Sequence, residues 1–190
     1  MNRDVITIVS GLPRSGTSMM MSALVAGGLE ALTDNLRTAD EDNPKGYFEL
    51  EKVKELAKNN SWLEDARGKV VKIISALLKH LPGEHHYKII FMRRNMDEVL
   101  ASQRQMLIRR NEPTDTVSDE RMAEMFRKHL RDVEAWLEKQ PNMDVLYVSY
   151  NEMLTNPAAS IQRINALLDG ALDTEKMAGA VDRKLHRQRR

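Results

Sequence analysis

The sequence predicts an α/β domain in which helices cover both faces of a central parallel sheet. Short apolar segments with the length of buried strands alternate with longer segments whose apolar residues have helical spacing. A glycine-containing turn joins the first predicted strand, 5–9, to the first predicted helix, 17–26. The chain has 190 residues and no internal repeat or flexible linker, so we expect a single domain over 1–190.

The predicted elements follow from local composition. Runs of β-branched and aliphatic residues bounded by turn residues predict strands at 5–9, 69–74, 87–92 and 145–148. Apolar residues three and four apart predict helices at 17–26, 49–60, 96–110, 118–139, 157–168 and 173–182. The polar segment 33–46 has the composition of a long irregular loop, and such loops often hold functional residues.

Composition and charge exclude several classes of protein. Hydrophobic residues make up 42% of the chain and charged residues 30%, which excludes a disordered or collagen-like chain. The 29 basic and 28 acidic residues leave a formal charge of +1, so we expect no nucleic-acid partner. The chain has no cysteine, which excludes disulfides, thiol nucleophiles and cysteine-ligated metals.

The sequence also lacks membrane and metal-binding patterns. No segment approaches the roughly 18 apolar residues that span a bilayer, and the first residues do not resemble a signal peptide. We therefore expect a soluble, cytoplasmic protein. His80, His85 and His86 lie close together, but no further ligand stands at a metal-binding spacing, so no metal is expected.

The segment 11–18 reads Gly-Leu-Pro-Arg-Ser-Gly-Thr-Ser and lies between the first strand and the first helix. Its glycines have the spacing of a Walker A loop, G-x-x-x-x-G-K-[ST], with Thr17 at the position of the lysine. Such a loop directs backbone N–H groups and the positive end of a helix toward an anion, and Arg14 adds a guanidinium suited to phosphate or sulfate. The alternative is a turn that only joins a strand to a helix. The predicted ligand-binding residues of the loop are Pro13, Arg14, Ser15, Gly16, Thr17 and Ser18.

This segment resembles the phosphosulfate loop of the sulfotransferase family, which is commonly written G-x-P-R-S-G-T-[ST]. A second likeness covers 87–102, where a strand is followed by Arg-Asn-Met-Asp-Glu at 94–98 and by Ser102. It is similar to the family motif R-[DN]-P-x-D-x-x-x-S, with Met96 in place of the proline. A third covers 148–157 and is similar to Y-E-x-L followed by x-[DN]-P, with Asn151 in place of the more frequent glutamate. The three motifs occur in the order that the family has.

The resemblance implies a P-loop NTPase-like sulfotransferase fold. It also implies an enzyme that uses 3′-phosphoadenosine-5′-phosphosulfate (PAPS) as co-substrate and leaves adenosine 3′,5′-bisphosphate (PAP) as product, without a metal. In the family the arginine and serine of the second motif hold the 3′-phosphate, which implies this role for Arg94 and Ser102. The acceptor would be a hydroxyl or amine of a small molecule, carbohydrate or lipid. No pattern in the sequence identifies the acceptor or the oligomeric state.

Three cations stand where a parallel sheet places ligand-binding residues. Arg14, Lys72 and Arg94 each lie at or just past the end of an apolar strand, and the carboxyl ends of parallel strands share one edge. For Lys72 the alternative is an ordinary surface salt bridge. Lys72 also resembles the family lysine that stabilises the leaving phosphate.

Sulfuryl transfer needs a base for the acceptor's proton and cations that stabilise the departing nucleotide. The cytosolic sulfotransferases of small hydroxyl compounds place a histidine base two residues after the lysine, and here that residue is Ile74. Glu49 resembles the acidic base of other branches of the family, and Glu51 and Asp42 are weaker substitutes. Alternatively, Glu49 is the first-turn acid of a helix and only complements its dipole. The candidate catalytic residues are therefore Glu49, Lys72 and Arg14.

The last residues, 183–190, form a strongly basic tail, and charged chain ends are often mobile. Sulfotransferases commonly close a late basic segment over the nucleotide, which implies that Arg187 or Arg183 contacts the 3′-phosphate.

Two other functions share parts of this pattern. A P-loop kinase of a small molecule would share the phosphate loop, although Thr17 replaces its lysine. A nucleotide-binding module without catalytic activity would share the donor site and lack the base.

Overall fold

Within the residues that the computed structural model describes, 4–34, 48–114 and 116–181, four strands form one parallel sheet. The strands are β1 (Val5–Gly11), β2 (Val70–Lys72), β3 (His86–Arg93) and β4 (Met143–Ser149). They lie in the order β2-β1-β3-β4, and each neighbouring pair is parallel. The predicted parallel sheet is therefore confirmed.

Burial on both faces of the sheet explains the apolar strand sequences. Ile8 lies in register with Val71 on one side and with Ile89 on the other, and all three are fully buried. A parallel sheet is covered on both faces, so its strands are apolar at consecutive positions rather than alternate ones. The strands end at a shared carboxyl edge with Gly11, Lys72, Arg93 and Ser149.

Helices flank this sheet on both faces. The α-helices are α1 (Thr17–Ala26), α2 (Met96–Arg109), α3 (Asp119–Leu137), α4 (Tyr150–Thr155), α5 (Pro157–Leu167) and α6 (Thr174–Ala180). Short 3₁₀ helices cover Glu51–Glu55, Ser61–Ala66 and Ser75–His80. None of the described helices combines the length and the apolar composition needed to cross a bilayer.

The two faces of the sheet bury separate cores. The core under α1, α5 and α6 includes Leu24, Ile90, Ile164 and Met177. The core under α3 and the 3₁₀ helices includes Ile8, Trp62, Leu78 and Leu137. The sheet therefore lies between two layers of helices, and the predicted site residues Arg14, Lys72 and Arg94 lie at or just past the carboxyl ends of its strands.

The helix predicted at 49–60 is wrong. The 3₁₀ helix there covers only Glu51–Glu55, and the next, Ser61–Ala66, begins after a turn. In that turn Oδ1 of Asn59 accepts hydrogen bonds from the backbone N–H and the hydroxyl of Ser61. An asparagine side chain that bonds the backbone two residues on competes with a continuing helix, which explains the break.

The helix α4 was not predicted from the sequence. It begins directly after β4, where the Oγ atom of Ser149 accepts from the backbone N–H of Glu152 at 3.2 Å. A serine in this cap position stabilises even a short helix. The consequence is that Tyr150 and Asn151 stand at the carboxyl edge of the sheet on a helix rather than at the end of a strand.

Candidate active site

The phosphate loop leaves β1 at Gly11 and enters α1 at Thr17. Its backbone takes two left-handed conformations, at Arg14 with φ 68° and at Gly16 with φ 98°. A Cβ atom on Gly16 would collide with the ring of Tyr150, so only glycine fits this position. The loop and the start of α4 are therefore packed directly against each other.

Ser15 is the most deeply buried polar residue of the loop. Its side chain is almost inaccessible, and its Oγ atom makes no hydrogen bond with any residue in the described parts of the chain. A buried hydroxyl without a partner is destabilising by about 1–3 kcal/mol, which a bound polar ligand would offset.

Hydrogen bonds join the phosphate loop to the segment that follows β3. The Nε atom of Arg14 donates to Oγ of Ser102 at 2.9 Å, and Nη1 of Arg94 donates to the backbone oxygen of Arg14 at 3.0 Å. In the sequence, Arg14 and Ser102 are 88 positions apart, and Arg14 and Arg94 are 80 positions apart. The fold thus brings together residues that the sequence assigned to two separate motifs.

Arg94 is held from several sides. Its Nε atom donates to Oε2 of Glu98 at 2.9 Å, and its guanidinium lies 4.3 Å from the centre of the Tyr150 ring. The other carboxylate oxygen of Glu98 accepts from Nδ2 of Asn151 at 2.9 Å. Burial raises the pKa of the Tyr150 hydroxyl, although the charge of Arg94 opposes this.

Glu98, Tyr150 and Asn151 were not predicted as site residues from the sequence. Their positions within the family motifs could have indicated them. Glu98 stands at the acidic position of the second motif, and Tyr150 and Asn151 lie in the third motif. The motif's missing proline has a local replacement, since Oδ1 of Asn95 accepts from the backbone N–H of Asp97 at 2.8 Å and caps α2.

Lys72 and Glu49 form an ion pair at the end of β2. The Nζ atom of Lys72 lies 3.5 Å from Oε1 of Glu49, and the two side chains are 10% and 32% exposed. The backbone oxygen of Glu49 accepts from the hydroxyl of Thr33 at 2.8 Å and from the N–H of Asp34 at 3.3 Å. The candidate base, Glu49, and the candidate lysine, Lys72, are therefore in contact, and their ion pair is more buried than an ordinary surface salt bridge.

The alternative interpretation of Glu49 is wrong, because the 3₁₀ helix begins after it and has Glu51 in its first turn. Glu51 is itself exposed and pairs with Lys54 at 2.7 Å. Asp42 and Arg187, with the rest of the basic tail, lie outside the described residues.

His129, which was not predicted as a site residue, lies near this edge. The Nε2 atom of His129 on α3 is 2.8 Å from the hydroxyl of Ser75, three residues beyond Lys72. Burial lowers the pKa of His129, the charge of Lys79 lowers it further, and Asp132 opposes them. In the described ranges no cluster of three or more metal-ligating side chains occurs.

The chain matches the model of the sulfotransferase domain over residues 4–185 and therefore belongs to the sulfotransferase family. The family resemblance stated from the motifs is thus confirmed. No curated protein matches the chain significantly.

Solved structures of sulfotransferases share the fold. Mouse sulfotransferase SULT7A1, complexed with PAP, is 20% identical with a TM-score of 0.50, and the comparison covers 95% of this chain and 63% of that one. The sulfotransferase domain of the Synechococcus PCC 7002 olefin synthase is 16% identical with a TM-score of 0.56, covering 95% and 78%. The domain from the curacin biosynthetic pathway is 14% identical with the same TM-score, covering 98% and 90%. The chain thus spans less than two thirds of the mouse enzyme's structure, and these likenesses establish the fold.

Proposed function

We propose that this protein transfers a sulfuryl group from PAPS to a hydroxyl or amine of a small-molecule, carbohydrate or lipid acceptor. The observation that supports this most strongly is the pair of hydrogen bonds that joins Arg14, Ser102 and Arg94 at one place on the carboxyl edge of the sheet. A nucleotide with phosphate at both the 5′ and the 3′ positions needs two anion-binding groups of residues side by side. The family to which the chain belongs fits the same donor.

The donor would lie across the phosphate loop and the start of α2. Backbone N–H groups and the hydroxyls of Thr17 and Ser18, at the N-terminus of α1, would bind the 5′-phosphosulfate. The hydroxyl of Ser15, which makes no hydrogen bond within the described part of the chain, offers a further donor in the same loop. Arg94 and Ser102 would bind the 3′-phosphate, with Arg14 between the two anions because its Nε atom already contacts Ser102.

The chemical step is an in-line displacement at sulfur. The acceptor's oxygen or nitrogen forms a bond to sulfur as the bond from sulfur to the 5′-phosphate oxygen breaks, and that oxygen leaves with the electron pair as part of PAP. Glu49 takes the acceptor's proton, and Lys72 donates a hydrogen bond to the departing oxygen. Their 3.5 Å contact supports this assignment, because it brings a carboxylate and an ammonium group together at the end of β2.

Calorimetric titration with PAP, AMP and ATP with Mg²⁺ tests the donor assignment without knowledge of the acceptor. We expect PAP to bind at least about tenfold more tightly than AMP, because a charge-assisted hydrogen bond to the 3′-phosphate contributes about 1.5 kcal/mol or more. Binding of ATP with Mg²⁺ together with no binding of PAP would overturn the proposal in favour of a kinase.

Turnover is tested separately, by release of PAP from PAPS in the presence of a panel of phenols, alcohols, amines and sugars. Acceptor-dependent release of PAP supports an enzyme. Tight binding of PAP without release on any acceptor would contradict the catalytic part of the proposal and indicate a binding module.

A further inference from the structure

A buried series of polar contacts connects Asn151 on α4 to Arg94 through Glu98 on α2. Nδ2 of Asn151 donates to one carboxylate oxygen of Glu98 and Nε of Arg94 donates to the other, each at 2.9 Å. The side chains of Arg94 and Glu98 are only 6% and 7% exposed. One carboxylate thus ties together the segments that follow β3 and β4.

These contacts give the Arg94 guanidinium one orientation. Glu98 holds its Nε edge, the backbone oxygen of Arg14 holds Nη1, and the ring of Tyr150 lies against its plane. Its Nη2 group makes no hydrogen bond with any residue of the described ranges. The Nη2 group therefore has a fixed orientation in a mostly buried position, where it can donate hydrogen bonds to a ligand.

Stability does not account for a buried ion pair of this kind. Removing two charges from water costs about as much as their attraction returns, so an apolar pair of similar volume would stabilise the fold as well or better. A fixed guanidinium is valuable where an anion must be bound in one geometry, because its planar donors match phosphate oxygens only in certain orientations.

We infer that Glu98 and Asn151 are positioning residues that aim Nη2 of Arg94 at the 3′-phosphate of the nucleotide. The inference rests on the proposed function, which assigns that phosphate to Arg94. Asn151 donates to Glu98 without adding charge. A carboxylate at its position would face the Glu98 carboxylate within hydrogen-bond distance, where two ionised groups repel each other.

The first test is a double-mutant cycle read out as the ratio of PAP affinity to AMP affinity. Wild type, Asn151→Ala, Arg94→Ala and the double variant are titrated with both nucleotides after their thermal unfolding midpoints have been compared. We expect Asn151→Ala to lower the ratio about tenfold while AMP affinity stays unchanged, and to have no further effect once Arg94 is alanine.

The other possible results of the double-mutant cycle each contradict a specific part of the inference. If Asn151→Ala weakens PAP and AMP equally, or weakens PAP as much in the Arg94→Ala background, the positioning role is overturned and Asn151 is merely structural. If Arg94→Ala itself leaves the ratio unchanged, the proposed role of Arg94 fails and the inference fails with it. The Arg94 variant thus distinguishes the two failures.

The second test uses Asn151→Asp, which has nearly the same shape. At about pH 5.5 the new pair can share a proton and keep the hydrogen bond, whereas at about pH 8 two ionised carboxylates repel each other. Relative to wild type at the same pH, we expect near-normal PAP affinity at the lower pH and about tenfold weaker binding at the higher one. A deficit that is equal at both pH values overturns the inference, even if Asn151→Ala fails to fold.

Discussion

The Nζ atom of Lys72, at the end of β2, lies 3.5 Å from the Oε1 atom of Glu49, which precedes the 3₁₀ helix Glu51–Glu55. The pair stands at the same edge of the sheet as the phosphate loop, because β2 is the neighbour of β1. The proposed sulfuryl transfer would use Glu49 as the base and Lys72 as the cation that stabilises the leaving group. Variants of each should therefore affect turnover more than nucleotide binding.

Glu49→Gln should reduce kcat by about 100-fold or more, because general-base catalysis contributes about that factor. PAP affinity should stay within about twofold of wild type, since the carboxylate is proposed to act on the acceptor. Turnover is measured by PAP release and affinity by calorimetry. Glu55→Gln, an exposed change on the adjacent 3₁₀ helix, is the matched control and should be fully active. A fully active Glu49→Gln would eliminate it as the base.

Lys72→Met should also lower kcat by about 100-fold, because a cation at the leaving oxygen stabilises charge that develops only in the transition state. Lys69→Met removes a lysine of the same segment that pairs with Glu30 instead, and it should retain activity. The informative measurement is the ratio of kcat losses between the two variants. Equal losses would mean that Lys72 has no special role in the reaction.

Gly16→Ala should destabilise the fold by about 3 kcal/mol or more, because a left-handed φ and a collision with Tyr150 add together. Gly28→Ala is the matched control: its φ of 100° is similar, but no atom lies within 4 Å of the added Cβ. Gly28→Ala should lower the free energy of unfolding by only about 1 kcal/mol. Urea unfolding of both variants separates the conformational cost from the steric one, and equal losses would show that the Tyr150 contact adds nothing.

His129 should make the stability of the fold depend on pH. Burial lowers its pKa in the folded state below the ordinary value of 6.5, so the unfolded chain binds more protons just below that pH. The free energy of unfolding therefore falls as the pH drops through 6.5 toward the folded pKa, below which the loss is complete. The charge of Lys79 adds to this lowering of the His129 pKa, and the charge of Asp132 opposes it.

The measurement is urea unfolding of wild type and His129→Gln at about pH 7.5 and about pH 5, on either side of the histidine's ordinary range. Glutamine can keep a hydrogen bond to Ser75 and does not titrate. The wild type should lose more stability than the variant on acidification. Parallel losses in both proteins would assign the pH dependence to other groups.

Local sequence predicted the elements that depend on local interactions. The predicted helix 17–26 coincides with α1, and the predicted strand 5–9 lies within β1 (Val5–Gly11). Apolar runs and glycines predict such strands and helices, because the burial pattern and the backbone conformation of a short segment depend on residues close together in the sequence. The prediction at 49–60 was wrong because apolar spacing indicated one continuous helix, whereas the Asn59 side chain bonds the backbone N–H of Ser61 in the segment that separates two short 3₁₀ helices.

The sequence by itself determined the parallel α/β class, the family and the phosphate loop, because each is expressed in contiguous residues. Only the tertiary structure decided which polar groups meet. Glu49 and Lys72 are 23 residues apart, Glu98 and Asn151 are 53 apart, and Ser75 and His129 are 54 apart. Such contacts depend on how helices and strands pack against one another, so no local pattern specifies them.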